Sequence, residues 1–395
     1  MSSAYIYDAV RTPRGKGREG GALNGVTPLK LQEELIAAIL ERNNCTPKAV
    51  DDIILGCVTQ VGEQGGNIAK VAALYSGLPD SVSGITINRY CTSGLDACNF
   101  AAMKVMTGVD DVVLAGGVES MSRVAMLSDK ASFYTDPAVV MKAGFVPMGL
   151  AADLVASLDG ISREECDAYA VRSQQRAAAA QQSDAFSRSL ISIGDADQDE
   201  CVRGFVTVEK LATFDPLFPE FGKQGYEVAF KAAFAELDEL RYVHHTGNSP
   251  GIVDGASLVL IGSEKAGSDY GLTPRARIRT MTNASGNKLL ALTGGIVAAK
   301  DVLNKAGMMA SDVDLVEFNE AFASVSIKFT RDTDWNEDQV NVNGGAIALG
   351  HAMGATGASL VGTVLDELER RDQNVGLISV SGAAGIGTAT IIERV

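Results

Sequence analysis

The chain repeats itself, and no other feature constrains its fold as strongly. LQEELIAAILERNN at 31–44 has the apolar spacing of an amphipathic helix. A turn at Thr46-Pro47 follows, and AVDDIILG at 49–56 reads as a buried strand. Near the other end, GGIVAAKDVLNKAGMMASDVDLVEFN (294–319) has the same plan. Setting Val50 on Val313, an offset of 263, superposes Leu35/Ile36 and Ile39/Leu40 on Ala298/Ala299 and Val302/Leu303. Asp51 then meets Asp314, and Ile53-Ile54-Leu55 meets Val316-Glu317-Phe318. GITIN (84–88) is matched by QVNVN (339–343), AYIYDAVRT (4–12) by RARIRTMTN (275–283), and DDVVLAGG (110–117) by NVGLISVSG (374–382). Alternating helices and strands in two copies predict an α/β protein whose matching strand ends face a common cleft, because open α/β sheets bind ligands at the carboxyl ends of strands.

The repeat also marks what does not repeat. Residues 1–122 and 245–268 form the first half, 269–395 the second, and 123–244 has no counterpart. This insertion holds the helical pattern SREECDAYAVRSQQRAAAAQQ, with Ser162 as N-cap and Glu165 at the capping-box position. No Pro/Gly/Ser-rich linker flanks it, so it is expected to be a lobe covering the cleft. The net charge of -15 disfavours nucleic acid and anionic membrane as partners, and no run approaches 18 consecutive apolar residues. A cytoplasmic location is the expectation. Six cysteines without a CxxC pair point away from a disulfide framework or structural zinc.

Glycine supplies 42 of 395 residues, an excess over the usual share of about 7%, and much of it surrounds the candidate chemistry. Cys91 follows the strand Ile85-Thr86-Ile87 and precedes the helical TSGLDACNFAAMKVM; a thiol at a helix N-terminus is expected to favour the nucleophilic thiolate. Cys98, mid-helix, fits a core position. His351 lies in NGGAIALGHAMGATGAS and is a plausible base for a thiol. Both follow the same strand of their copies and are expected to meet across the pseudo-twofold. His244-His245 precede a turn and read as surface or loop residues. Asn319-Glu320-Ala321-Phe322-Ala323 follows a strand, where a polar pair orients a water or carbonyl or merely caps a helix. GGVESMS (116–122) and SGAAGIGTA (381–389) are further glycine turns. No phosphate-loop, dinucleotide or HExxH motif is present.

Taken together, Cys91 in NRYCTSGLDA, GGVESMS, NEAFA, NGGAIALGHAMGATGA and the glycine turn before ATIIERV resemble the thiolase family along almost the whole chain. The resemblance implies a thiolase fold, two βαβαβαββ halves in a five-layer αβαβα arrangement with an inserted loop domain. It implies an acyl-CoA C-acyltransferase that works through a Cys91 thioester, by thiolysis of 3-ketoacyl-CoA or condensation of two acyl-CoA. His351 would activate Cys91, Asn319 would place a water beside His351 in one oxyanion site, and the backbone N–H groups of Cys91 and Ala383 would form the other. Met148, Pro250, Gly251, Ala321 and Phe322 fall where the family holds acyl-CoA. Coenzyme A is then a substrate; no cofactor or metal is implied, and a homodimer or homotetramer is. Alternatives are a CoA-binding protein with little turnover and a ketoacyl-synthase-type condensing enzyme.

The departures fall around that site. Ser381 stands where the family has a second cysteine, which moves the proton at the α-carbon or the CoA thiol. Ala383-Ala384-Gly385 replaces three glycines, Ala352 a proline, Pro250 a serine, and Pro147-Met148-Gly149 a His-Met-Gly. Pro219 to Tyr242 is longer than usual. Arg123, Lys223 and Arg241 are candidates for the CoA phosphates without a motif to choose among them.

Overall fold

A computed structural model describes residues 2–395. The first half runs β1 (Ala4–Arg11), α1 (Pro28–Arg42), β2 (Asp52–Gly56), α2 (Ile68–Tyr75), β3 (Ser83–Ile87), α3 (Ser93–Met106) and β4 (Val112–Ser120). The insertion adds α4 (Ser132–Thr135), α5 (Pro137–Ala143), α6 (Met148–Leu158), α7 (Arg163–Gln182) and α8 (Glu227–Ala233) among shorter turns, and β5 (Val253–Ser263) completes the first half. The second half is β6 (Ala276–Ser285), α9 (Gly294–Ala306), β7 (Leu315–Phe318), α10 (Ala323–Asp332), α11 (Met353–Arg371), β8 (Val375–Ser381) and β9 (Ile386–Arg394).

The strand order β3-β2-β4-β5-β1 is mirrored by β7-β8-β9-β6, and the two sheets are joined where Tyr5 pairs Arg277 and Ile6 pairs Ala276. The repeat extends to single hydrogen bonds. The Asp51 carboxylate accepts the N–H groups of Asp111 and Val112, and the Asp314 carboxylate, 263 residues on, accepts those of Asn374 and Val375.

Alternation along the strands builds the layers. Ile53, Leu55, Val112 and Leu114 pack outward on Leu35, Ile36 and Ile39 of α1. Ile54, Val113 and Ala115 face inward on α3 and α11, which also receive Ile378 and Val380 from the second sheet. Leu377, Ala389 and Ile391 cover the outer face of that sheet against Ala298, Ala299 and Val302 of α9. The result is the expected α-β-α-β-α sandwich. As the middle-layer helix, α11 is buried continuously from Met353 to Leu368.

One expected strand is absent. QVNVN forms a single bridge, Val340 to Val316, beside β7. Asn341 adopts φ +50, and its side chain takes over from the backbone: Oδ1 accepts the Phe318 N–H at 2.8 Å and Nδ2 donates to the Phe318 carbonyl at 2.8 Å. A side-chain amide thus closes the ladder that a strand would have continued.

The insertion packs on both halves: Ile193 joins the first-half cluster, and its helices share their core with the second half. Leu150, Ala151 and Leu154 of α6 join the cluster around Phe318, Phe322 and Phe329, and Tyr169 and Ala170 of α7 pack with Ala323 and Ile347. Pro137–Leu158 has the length and mean hydropathy (1.6) of a membrane span. It is broken into α5 and α6 at Gly144, in the left-handed region, and α6 is buried in this core.

Candidate active site

Cys91 sits on a tight turn between β3 and α3. The Asn88 side chain accepts the Tyr90 N–H at 2.8 Å, and the Ser93 hydroxyl accepts from Arg89 N and donates to the Tyr90 carbonyl. These bonds hold Tyr90 at φ +51, a conformation costly for a bulky residue. The turn after β8 lies directly on this one: a Cβ on Gly382 would come within 3.4–3.5 Å of Arg89, Tyr90 and Thr92. Ala383 therefore stands beside Cys91. It opens a one-turn 3₁₀ segment, so its N–H is free of helical partners. Ala384 follows at φ +60, which a glycine would adopt without strain.

The N-termini of α3 and α11 meet backbone to backbone. A Cβ on Gly94 would lie 2.7 Å from the Gly354 carbonyl, and one on Gly357 2.4 Å from Leu95 N, so only glycine permits the approach. Fully buried Glu119, at the end of β4, clamps it by accepting the N–H groups of Gly354, Val58 and Thr59 at 3.0–3.1 Å. His351 and Cys91 each lie three residues before this contact, on the approaching ends of α11 and α3.

The His351 hydrogen bonds fix its tautomer. The Thr356 hydroxyl donates its one proton to the Ala352 carbonyl (2.9 Å), so it can only accept from Nδ1–H of His351 (2.8 Å). Nε2 is left as a buried lone pair with no protein partner, as are both side-chain atoms of Asn319. Buried polar atoms demand partners. Asn319, at the end of β7, is anchored by its N–H to Ser379.

The charge state differs from the expected thiolate. Burial, with the nearby Glu119 carboxylate, pushes the Cys91 thiol up to about 12, and this outweighs the favourable contact with its own N–H. Burial, helped by the Arg14 guanidinium, pulls His351 down to about 4. The resting pair is a neutral thiol and a neutral imidazole.

Ser381 is fully buried and its hydroxyl accepts the Gly295 N–H, in the first turn of α9, at 2.9 Å. Gly251 lies against His351, whose N–H its carbonyl accepts at 2.9 Å, next to Pro250 and to Ser249, whose hydroxyl has no partner. Ala321 closes a turn onto the Asn319 carbonyl (2.8 Å), the Phe322 ring packs edge-on against Phe218 and His244, and Met148 opens α6, half-buried beside the same cluster. The basic candidates are already engaged: Arg123 pairs with Glu63, Lys223 with Glu220, and Arg241 leans on the Ala156 carbonyl.

His244 and His245 correct the sequence reading, because both are fully buried. His244 Nδ1 bonds Asp153 at 2.7 Å while Nε2 receives the Ser324 N–H at the start of α10; His245 Nε2 bonds Asp167 at 2.7 Å while Nδ1 accepts from Gly247 N. They build the 246–251 turn that supports His351 and the NEAFA turn, where Ala323 N donates to Asn248. Thr356 and Arg14 also escaped the sequence reading, and Glu119 was seen only as part of a glycine turn. A carboxylate in a fully buried strand was the available signal.

The profile described as thiolase, N-terminal domain, matches residues 4–225, and that of thiolase, C-terminal domain, matches 272–394. The chain is 38% identical over 423 residues to a β-ketoadipyl-CoA thiolase of Escherichia coli and 40% over 410 residues to a 3-ketoacyl-CoA thiolase of Citrobacter koseri, each covering 100% of both chains. The crystal structure of the Bacillus anthracis acetyl-CoA acetyltransferase superposes with a TM-score of 0.85 at 33% identity, covering 100% of this chain and 99% of that one. Two halves that repeat the same strand order and full-length similarity of this kind have one explanation: the chain belongs to the thiolase family.

Proposed function

We propose that the protein is an acyltransferase that carries an acyl group on Cys91, cleaving 3-ketoacyl-CoA with CoA or running the reverse condensation. The observation that carries this reading is the buried, unpartnered Nε2 of His351, its tautomer set by Thr356, on the end of α11 that packs against the Cys91 end of α3. In the first step Sγ attacks the 3-keto carbon and its proton passes to Nε2. The oxyanion takes the N–H groups of Cys91 and Ala383. The C2–C3 bond then breaks, its electron pair leaves on acetyl-CoA as an enolate, and the enolate carbon takes the proton held on Nε2. In the second step the CoA sulfur attacks the Cys91 thioester, its proton passes to Nε2 and from there to the departing Sγ, and the thiol is restored. Asn319 and protonated His351 serve the thioester oxygen of the departing acetyl-CoA, and Ser381 occupies the position from which the family exchanges the α-carbon proton. The thiolases and acetyltransferase to which the chain is similar support this substrate class.

Incubation with acetoacetyl-CoA followed by mass spectrometry of the Cys91 peptide is expected to give an acetyl adduct. A folded protein with no adduct from any acyl-CoA would sink the proposal. A ketoacyl-synthase mechanism is disfavoured because His244 and His245 have both ring nitrogens engaged elsewhere.

The working unit is a homo-oligomer joined through β3. This strand ends the sheet with an unpaired edge, Ile85 is 50% exposed on it, and Leu74 and Tyr75 of α2 add 49% and 52% exposed apolar side chains alongside. Native proteins rarely leave such an edge open, and twofold pairing closes it. Ile85→Lys is expected to shift the protein to monomer in light scattering; an unchanged mass would place the interface elsewhere.

A further inference from the structure

Arg14, in the loop between β1 and α1, is a buried guanidinium. Such a group is costly unless its charge and its N–H groups are matched, and here the match is partial. Nη2 donates to the Ser359 hydroxyl at 2.9 Å, and the side chain makes no other hydrogen bond among the described residues. Of the carboxylates in range, Asp199 is committed to Arg11, whose two Nη atoms it takes at 2.8 and 2.9 Å; it holds Arg14 only by accepting the backbone N–H. The other is Glu317, which alternation along β7 turns inward with Leu315, away from Val316 and Phe318. It is buried, and no ion pair joins it to Arg14. Burial and the Glu320 and Glu367 carboxylates hold Glu317 well above the usual carboxylate range. Burial and Arg11 draw Arg14 down only to about 10, so it keeps its charge at pH 7.

This cation is fixed where α11 begins. Arg14 Cγ and Ala352 Cβ flank Gly255, each within 3.6 Å of where its Cβ would stand. Ser359, which receives the guanidinium, donates onward to the Thr356 carbonyl at 2.8 Å, and the Thr356 hydroxyl is the acceptor of His351 Nδ1–H. One face of α11 therefore carries both the anchor of the guanidinium and the orienter of the imidazole. The remaining groups around His351 leave this charge unopposed. Cys91 is a neutral thiol, and burial likewise raises Cys201, whose Sγ lies 3.7 Å from a Cβ placed on Gly251. Glu119 spends its carboxylate on the N–H groups of Gly354, Val58 and Thr59, and Asn319 from β7 carries no charge.

We infer that Arg14 is a positioning residue for the transfer, a fixed cation beside His351 that keeps the imidazole neutral between steps and sends its proton on to the departing carbon or sulfur. This role presupposes the acyltransferase reading above. In the first step Nε2 takes the Sγ proton and must release it to the enolate carbon; in the second it takes the CoA thiol proton and must release it to Sγ. A base in such a cycle has to give back what it takes. A neighbouring guanidinium disfavours the imidazolium that would otherwise retain the proton.

The test is Arg14→Met, which keeps a long unbranched side chain and removes the charge, beside Arg14→Lys, which restores it. His351 is titrated in two ways. One is the acid limb of kcat/KM for thiolysis of acetoacetyl-CoA. The other is the imidazole resonance in protein labelled with 13C-histidine, which has three histidines, two of them with both ring nitrogens engaged. The wild-type midpoint of about 4 is expected to rise by about one unit in Arg14→Met, ten-fold in proton affinity, and to stay near the wild-type value in Arg14→Lys. If Arg14→Met does not fold, Arg14→Gln carries the same expectation. An unmoved midpoint, or a lysine variant that titrates like the methionine one, would overturn the inference. So would a rate loss equal at every pH, which a purely structural role would give. An active enzyme with an unmoved resonance sinks the role of Arg14 alone. A wild type that never acylates Cys91 sinks the acyltransferase reading, and the role in transfer with it.

Discussion

His351→Asn is expected to lower kcat/KM for thiolysis by about 10³-fold or more with the fold intact, because a general base of this kind contributes roughly 10²–10⁴ and the resting thiol is neutral. Asparagine keeps a polar side chain at the site but cannot take a proton. The neutral state of Cys91 makes the dependence steep: with the thiol pushed up to about 12, attack as preformed thiolate contributes little near pH 7. Alkylation of Cys91 by iodoacetamide should therefore rise with pH beyond 9. A rate that is flat from pH 5 to 8 would instead indicate a thiolate–imidazolium pair. The same pKa values act on stability. His351 falls to about 4 when folded, against about 6.5 unfolded. As pH drops through that window the unfolded chain binds the proton first, and about 3 kcal/mol of stability is lost between roughly pH 6.5 and 4. His351→Asn should remove that component from urea midpoints measured at pH 7 and 4.5.

The second large effect is a gain. Ser381→Cys is expected to raise acetyl-CoA condensation by about 10²-fold, with a smaller effect on Cys91 acylation. Deprotonating an α-carbon needs a base, and a serine hydroxyl lies far above the thiol reference of about 8.5. In this chain the hydroxyl is also held as the acceptor of the Gly295 N–H. The site is tight, since a Cβ on Gly295 would lie 2.7 Å from the Ser381 oxygen, and the larger sulfur is expected to cost about 1 kcal/mol of stability. The assay is acetoacetyl-CoA formation by variant and wild type. An unchanged rate would show that Ser381 is not what limits condensation, and no acyl transfer by either form would favour a CoA-binding role.

Much of this was legible in the sequence because it rests on periodicity and spacing. The 263-residue offset is carried by apolar positions that must face a sheet, and it matches the mirrored strand order of the two halves. What stayed hidden depends on long-range contacts. The strand expected at 339–343 was overridden by one side chain, Asn341, bonding both backbone groups of Phe318. His244 and His245 looked like loop residues because their partners, Asp153 and Asp167, lie 91 and 78 positions away. The thiol's charge state followed from burial and Glu119, neither visible in NRYCTSG.

The mirrored sheets carry a consequence for how the chain is made. β1 finds its main partner in β5, where Ala4 pairs with Ser263, so the first half cannot close until more than half of the polypeptide has left the ribosome. Until then β4 lacks its β5 neighbour, and its apolar edge is open to other chains. Contacts of such sequence separation fold slowly. The nascent protein is therefore expected to depend on chaperone protection over that interval, and a fragment ending before Val253 should aggregate, whereas one ending after Ser263 still lacks α11 and the second sheet that cover its inner face.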